Sequence, residues 1–123
     1  MCSSDLVWGT QEGNDTLIGS SGNNVFFEQG GTNFLLGNGG SDTFAFMSMN
    51  ASSNLVADFR VGEDHLAIVG NETMQDLSFT QTLAGTMVSF EDTSILLLGV
   101  NTQDLLQHAA TDIVFTQSLD TLI

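Results

Sequence analysis

A strict nine-residue period runs through the first third of the chain. Cut into nines from Thr10, the sequence reads TQEGNDTLI, GSSGNNVFF, EQGGTNFLL and GNGGSDTFA. Three places of each unit keep the same or a chemically similar residue: glycine in the fourth place (Gly13, Gly22, Gly31, Gly40), aspartate or asparagine in the sixth (Asp15, Asn24, Asn33, Asp42), and leucine or phenylalanine in the eighth (Leu17, Phe26, Leu35, Phe44). Because a unit this short cannot bury its apolar side alone, the period predicts stacked copies, which is the logic of a solenoid.

Each unit ends in a burst of apolar or β-branched residues, for example residues 25–27 and 34–36. These bursts are too short for helices, and their composition favours very short strands. The glycines between them supply the positive φ angles that tight turns need. The alternative is a flexible linker rich in glycine, asparagine and serine, and the strict period argues against it.

Four zones follow from composition and pattern. Residues 10–45 are the repeats, and residues 46–117 hold apolar alternations that predict an antiparallel β unit covering the open end of the solenoid. Within this unit, Asn101 or Thr102 is suited to cap a short helical turn. Residues 1–9 form a leader, of which residues 1–6 match the translation of a common sequencing adapter and are interpreted as an artefact of cloning or assembly. Residues 118–123 form a separate tail.

The charge balance excludes several partners. The chain has 15 acidic residues against the single cation Arg60, a net charge of -14. It therefore offers nothing to displace counterions from phosphates, so neither a nucleic acid nor an anionic membrane surface is expected as a partner. No apolar run approaches the ~20 residues that span a bilayer, so no membrane insertion is expected. Such self-repulsion loosens a fold unless cations relieve it.

The sequence presents no catalytic constellation. Its two histidines, His65 and His108, lack the spacing of a zinc motif. His65 is interpreted as a surface residue next to Asp64, and His108 has no indicated acidic partner. The adjacent acids at residues 63–64 and 91–92 lie in predicted turns, where solvated charge is the simpler interpretation. We therefore expect no enzyme activity from this chain.

The unit GNGGSDTFA at residues 37–45 resembles the calcium-binding nonapeptide G-G-x-G-x-D-x-U-x of RTX (repeats-in-toxin) proteins and lacks only the second glycine. The stretch VADFRVGEDHL at residues 56–66 resembles the segment that closes such arrays. The resemblance implies an all-β fold, a parallel β-roll of about four nonapeptide turns with successive units on opposite faces, capped by the C-terminal antiparallel β unit. It also implies the C-terminal region of a secreted, extracellular bacterial protein, with an upstream domain in a longer chain and the type I secretion machinery as partners.

The same resemblance implies Ca²⁺ between turns on one face, so that Asp15 would meet Asn33 and Asn24 would meet Asp42. The glycine turns (Gly13, Gly22, Gly31 and Gly40) would contribute to these sites, with Asp58 and Asp64 of the closing segment as further metal candidates.

Asparagine in two of the four sixth places leaves the metal chemistry open. Calcium takes six to eight oxygen ligands, and its affinity depends on how many are charged. Each implied pair has one carboxylate instead of two, so either calcium binds more weakly or the asparagines hydrogen-bond to neighbouring turns and no ion is bound. The sequence thus favours a non-catalytic calcium-binding module that supports secretion and extracellular folding. The alternative is a calcium-independent structural module, or one that binds carbohydrate or acts in adhesion, with degenerate repeats.

Overall fold

The computed structural model describes residues 6–8, 14–19, 22–28, 30–47, 51–70 and 73–116, of which residues 6–8 and Glu28 are described for their main chain only. Within these ranges the chain is mostly β, with two short α-helices and a 3₁₀ turn at Met74–Asp76. The strands are β1 (Leu6–Trp8), β2 (Asn14–Ile18), β3 (Val25–Glu28), β4 (Gly31–Leu36), β5 (Thr43–Met47), β6 (Ser52–Val56), β7 (His65–Val69), β8 (Ser78–Gln81), β9 (Gly85–Phe90), β10 (Thr93–Leu98) and β11 (Ile113–Thr116). The helices are α1 (Thr102–Gln107) and α2 (Ala109–Asp112).

The strands form two sheets between which the chain alternates. The five-stranded sheet has the order β1-β3-β5-β7-β11, and all its pairs are parallel. The six-stranded sheet has the order β2-β4-β6-β10-β9-β8. Its first four strands are parallel, and the pairs β10–β9 and β9–β8 are antiparallel. From β1 to β7 each strand joins the sheet that its predecessor did not, as expected for units on opposite faces. The architecture is β-roll-like, with parallel sheets.

The eighth-place side chains fill the space between the two sheets. Leu17, Phe26, Leu35 and Phe44 all belong to one buried apolar cluster. Phe26 and Phe44 come from adjacent strands of the five-stranded sheet, and their rings stack with centroids 4.8 Å apart. Removing either fully buried ring would destabilise the fold by about 3–5 kcal/mol. Each nine-residue unit therefore contributes one large apolar side chain to the core.

The parallel pairing extends beyond the predicted repeat zone in both directions. Strand β1 lies in the predicted leader yet pairs with β3, while β6 and β7 lie after residue 45 yet pair with β4 and β5. The sequence period ends earlier because the connections lengthen. Asn24 and Asp42 are 18 residues apart, whereas the next hydrogen-bonded step, from Asp42 to Asp64, is 22 residues. The strands are also longer than the expected three residues, since β2 and β4 already include their sixth-place residues.

The C-terminal unit differs from a separate antiparallel cap. Strands β8, β9 and β10 are antiparallel as predicted, but β10 pairs in parallel with β6, and β11 does so with β7. These strands therefore continue the two sheets, because their alternating apolar residues fit the same inter-sheet core. Helix α1 begins after Asn101, whose side chain accepts hydrogen bonds from the amides of Gln103 and Asp104.

Within the ranges described above, no helix is long and apolar enough to cross a membrane.

Candidate metal site

The sixth-place side chains line up into two columns, one in each sheet. Strand register aligns Asp15 with Asn33, and Asn33 with Asn54. In the five-stranded sheet the corresponding residues directly precede β3, β5 and β7, whose first residues are in register. We call these columns the Asp15 ladder (Asp15, Asn33, Asn54) and the Asp42 ladder (Asn24, Asp42, Asp64). All members are buried except Asp15, which is half-buried.

In the Asp42 ladder each carboxylate accepts the main-chain amide of the preceding turn on the same sheet. Asp42 Oδ1 accepts from the main-chain N of Asn24 at 2.9 Å. Asp64 Oδ1 accepts from the main-chain N of Asp42 at 2.8 Å, and its Oδ2 accepts from that of Arg60 at 2.8 Å. Such charge-assisted hydrogen bonds fix the stacking of successive turns.

The side-chain amide of Asn24 lies among three oxygens. Its Nδ2 donates to Gly22 O at 3.0 Å, to Asp42 Oδ1 at 3.0 Å and to Gly37 O at 3.4 Å. Two main-chain carbonyls and a carboxylate oxygen are the ligand types that calcium prefers. The side-chain amide of Asn24 thus occupies a position that is surrounded by oxygens of the kind that bind a cation.

The Asp15 ladder is held by a chain of amide hydrogen bonds. Asn33 Nδ2 donates to Gly30 O and to Asn54 Oδ1, each at 3.0 Å. Asn54 Nδ2 in turn donates to Ser52 Oγ at 3.0 Å and to Ser94 O at 3.3 Å. The sequence prediction missed Asn54 as a member of this ladder because it follows Asn33 by 21 residues, outside the nine-residue period. One feature of the sequence could have indicated it: Asn54 lies two residues before the buried Val56, which is the distance between the sixth and eighth places of a repeat unit.

Two buried oxygens in these ladders have no hydrogen-bond partner within the described part of the chain: Asn33 Oδ1 and Asp42 Oδ2. Leaving a buried acceptor unsatisfied costs about 1–3 kcal/mol, and more when it is charged. Space next to Asp42 Oδ2 depends on Gly37, because a Cβ atom on Gly37 would clash with this oxygen. The Asp42 carboxylate and the turn carbonyls around it are hard oxygen donors, so the residues present fit a calcium ion at this place.

The electrostatics of the Asp42 ladder point the same way. Burial raises the pKa of Asp42 above its usual value, although hydrogen bonds from Asn24 oppose the shift. Burial also raises the pKa of Asp64 to about 6, and the nearby charges of Asp42 and Asp58 add to this effect. The charge of Arg60 also opposes the shift at Asp42, while its guanidinium forms an exposed ion pair with Glu63 at 3.4 Å. The ladder therefore concentrates negative charge that a bound cation would stabilise.

The remaining predicted site residues shape the turns. Asp58 accepts the amides of Gly37 and Asn38, at 2.9 and 2.8 Å, with one carboxylate oxygen each. Gly40 has φ +82°, and a Cβ atom there would come within 2.6 Å of the Gly22 carbonyl oxygen, so the turns stack too closely for a side chain. Gly31 also has a positive φ of 84°. Gly13 lies outside the described residues.

Across the described ranges, no three side chains of histidine, cysteine, aspartate or glutamate gather in a geometry that would hold a metal. Of the predicted acids, Asp42, Asp58 and Asp64 are instead distributed along the stack, and each accepts main-chain amides. A cation here would accordingly depend on the Asp42 carboxylate together with carbonyl oxygens of the main chain and of asparagine.

The sequence matches no family model, and no curated protein matches it. Among solved structures, a similar one is the crystal structure of the extracellular lipase LipA from Serratia marcescens, with a TM-score of 0.58 and 19% identity over 89% of this chain. This chain spans 20% of the length of that lipase chain. At this level of identity the likeness concerns the fold alone.

Proposed function

We propose that this chain is a non-catalytic RTX-type β-roll module of about four nonapeptide turns, which binds calcium and supports the secretion and extracellular folding of a larger bacterial protein. The observation that supports this most directly is the buried, unpartnered Oδ2 of Asp42 beside the space kept by Gly37. A bound calcium ion would place a positive charge next to this oxygen. The likeness to part of an extracellular lipase is consistent with a module attached to a larger secreted protein.

In this proposal the ladder acids have different roles. Asp42 holds the ion together with turn carbonyls, while Asp58 and Asp64 position the turns by accepting main-chain amides. Asn24 and Asn33 reduce the charge of each same-face pair and so reduce the affinity. The result is a module with few and weak sites rather than an array of fully charged ones.

Weak sites are sufficient for a folding role. A site with a dissociation constant near ~10⁻⁴ M stabilises the folded state by about 1.4 kcal/mol at ~1 mM calcium. This is a sizeable fraction of the stability of a small domain. A chain with a net charge of -14 would be less stable where calcium is scarce and more stable outside the cell.

The test is thermal unfolding of the chain in EDTA and in about 1 mM calcium. We expect the midpoint to rise by a few degrees with calcium, since ~1.4 kcal/mol corresponds to about 5 °C in a domain of this size. Asp42→Asn should abolish the rise, whereas Asp92→Asn, which removes the same charge from an exposed turn, should keep it. An identical midpoint with and without calcium would contradict calcium-assisted folding.

Secretion requires a separate experiment. Residues 60–123 fused to a reporter should reach the medium in cells that express a matching type I exporter, and should stay inside in cells that lack it. Retention in both strains would contradict the secretion role and leave the calcium result unaffected.

One observation favours the second candidate, a calcium-independent structural module or one that binds carbohydrate or acts in adhesion. The side-chain amides of Asn24 and Asn33 already donate to oxygens of neighbouring turns, so these ladders hold together without an ion. For such a module, EDTA would change neither the unfolding midpoint nor the circular dichroism spectrum.

A further inference from the structure

The outward face of the six-stranded sheet has a regular arrangement of side chains. Strand register places four apolar residues side by side across its central strands, and we call them the outer apolar row. It consists of Phe34, Leu55, Leu96 and Met87, from β4, β6, β10 and β9. Phe34 is 38% exposed, and the other three are half-buried, as expected for side chains on an open sheet face that touch neighbours on either side.

A second row lies parallel to the first, two residues away along each strand. Asn14 of β2 stands at one end of this row, and from β4 to β8 its members are hydroxyl residues: Thr32, Ser53, Ser94, Ser89 and Ser78. Adjacent strands lie about 4.8 Å apart, so both rows repeat at this spacing. The face is therefore regular in both directions, with an apolar row flanked by an uncharged polar one.

This face is free of charge on a strongly acidic molecule. None of the outward-pointing residues in the described strands of the six-stranded sheet is charged, although the chain has 15 acidic residues. A cationic partner would be attracted to the acidic turns instead. For another molecule with a charge of -14, however, approach to this face meets little local repulsion.

We propose that a second copy of this chain packs face to face on the outer apolar row. A two-fold axis parallel to the strands, between β6 and β10, superimposes each row on its own kind. It sets Leu55 opposite Leu96 of the other copy, and Phe34 opposite Met87. The same surface is then used by both copies, as an isologous dimer requires, and the strands are aligned as in a β-sandwich.

The surface has room for interdigitation. A depression lined by Leu55, Met87 and Leu96 together with Thr32, Ser53 and Ser94 lies in the middle of this face. The exposed ring of Phe34 from the other copy is the side chain that the symmetry places beside it. Apolar side chains of two sheets that interlock in this way form a sandwich core about 10 Å thick.

The area of the face sets the strength of the dimer. Six strands about 4.8 Å apart and about five residues long present roughly 500 Å² on each copy, or about 1,000 Å² in total. This is the lower limit for specific interfaces, so we expect a reversible dimer with a dissociation constant of about 10 µM to 1 mM. Because like charges on the two copies oppose the contact, salt should strengthen it by screening.

The test is sedimentation velocity of the chain from about 10 µM to about 1 mM protein, in EDTA so that calcium plays no part. Raising sodium chloride from about 0.02 M to about 0.5 M should tighten the dimer at least about threefold. Phe34→Asp and Leu96→Asp should each weaken it about 30-fold or more, since the symmetry repeats each change in both copies. The matched control is Leu83→Asp, which adds the same charge at a fully exposed leucine of the β8–β9 hairpin and should leave the dimer unchanged.

Phe34→Thr provides a milder variant should an aspartate disturb the fold, since threonine already stands in the same register at residues 16 and 80. Circular dichroism confirms that each variant is folded. A chain that remains monomeric to about 1 mM in high salt would overturn the proposal. So would a dimer that Leu83→Asp weakens as much as Phe34→Asp does, or one that salt dissociates.

Discussion

Replacing Asn24 by aspartate tests whether an amide stands where a cation would otherwise bind. The change removes the Nδ2 that donates to Gly22 O, Gly37 O and Asp42 Oδ1 at 3.0–3.4 Å. A carboxylate oxygen takes its place, so that four oxygens face one another with no hydrogen between them. Without metal this arrangement is repulsive, and with calcium it is a binding site that has two carboxylates.

The distances give the magnitude. Two unit charges about 4 Å apart repel by about 4 kcal/mol at an effective dielectric constant of 20, and partial protonation of the new acid limits this penalty. The lost hydrogen bonds contribute about 1 kcal/mol each. We therefore expect Asn24→Asp to lower the free energy of unfolding in EDTA by about 3–5 kcal/mol, and the midpoint by about 10–20 °C. Calcium at 100 times the dissociation constant should restore about 2.7 kcal/mol.

The assay is thermal and urea unfolding in EDTA and across a calcium series. Asn23→Asp is the matched control, because it adds the same charge one residue earlier, where the exposed Asn23 Oδ1 accepts the Ser41 amide at 2.7 Å and an aspartate oxygen keeps that bond. The control should shift the EDTA midpoint little and gain no new calcium dependence. If Asn24→Asp is as stable in EDTA as the control, or if calcium fails to restore it, the assignment of this position is wrong.

Three further predictions concern the same stack. In EDTA, lowering the pH from about 7.5 to about 5 should stabilise the wild type relative to Asp64→Asn by about 1–2 kcal/mol after discounting for screening. The reason is that the raised pKa of Asp64, about 6, lets the folded state take up a proton before the unfolded state does. Urea midpoints at several pH values measure this gain in stability, which should level off below about pH 4, and a pH-independent difference between the two proteins would be evidence against it. Gly40→Ala should destabilise by about 2–4 kcal/mol, because φ is +82° and the new Cβ would lie 2.6 Å from the Gly22 carbonyl oxygen; a calorimetric midpoint equal to that of the wild type would show that the turns separate freely. Asp112 Oδ2 accepts a hydrogen bond from the Gly62 amide at 2.8 Å, so Asp112→Ala should destabilise the fold by about 1–3 kcal/mol and speed hydrogen exchange at that amide. Asp112→Asn keeps an acceptor and should have a smaller effect. Equal exchange rates at the Gly62 amide in the two variants would refute this role.

The nine-residue period predicted stacked units with buried eighth places, and the resemblance implied how those units alternate and meet. The buried eighth places follow from the spacing, because identical units stack identically. Alternation between two sheets and the contact between Asn24 and Asp42 agree with what the resemblance implied. The N-cap role of Asn101 was also predictable, since capping depends on local geometry.

The parts that sequence could not predict depend on distant neighbours. Asp64 follows Gly62 and Glu63 in a stretch typical of an exposed turn, yet it is 2% exposed because the turn before β5 packs against it. Asn54 aligns with Asn33 only after longer connections, which no fixed period foresees. The direction in which each side-chain amide points is likewise set by the oxygens of other turns, so the choice between ion and hydrogen bond is made in the tertiary structure.

The carboxylates of Asp42, Asp58 and Asp64 all accept main-chain amides that precede them in the polypeptide. The amide of Asn24 is received by a carboxylate 18 residues later, that of Asp42 by one 22 residues later, and those of Gly37 and Asn38 by Asp58, 21 and 20 residues later. No turn in this series is complete until the segment two strands ahead has been made. During synthesis from the N-terminus each turn therefore waits for its successor, and the order of assembly is determined by the last turn to emerge rather than the first. A truncation from the C-terminal side should consequently leave amides of earlier turns without their carboxylate acceptors. A truncation from the N-terminal side should instead remove uncharged acceptors, such as Asn24 O for the Thr43 amide and Asn23 Oδ1 for the Ser41 amide.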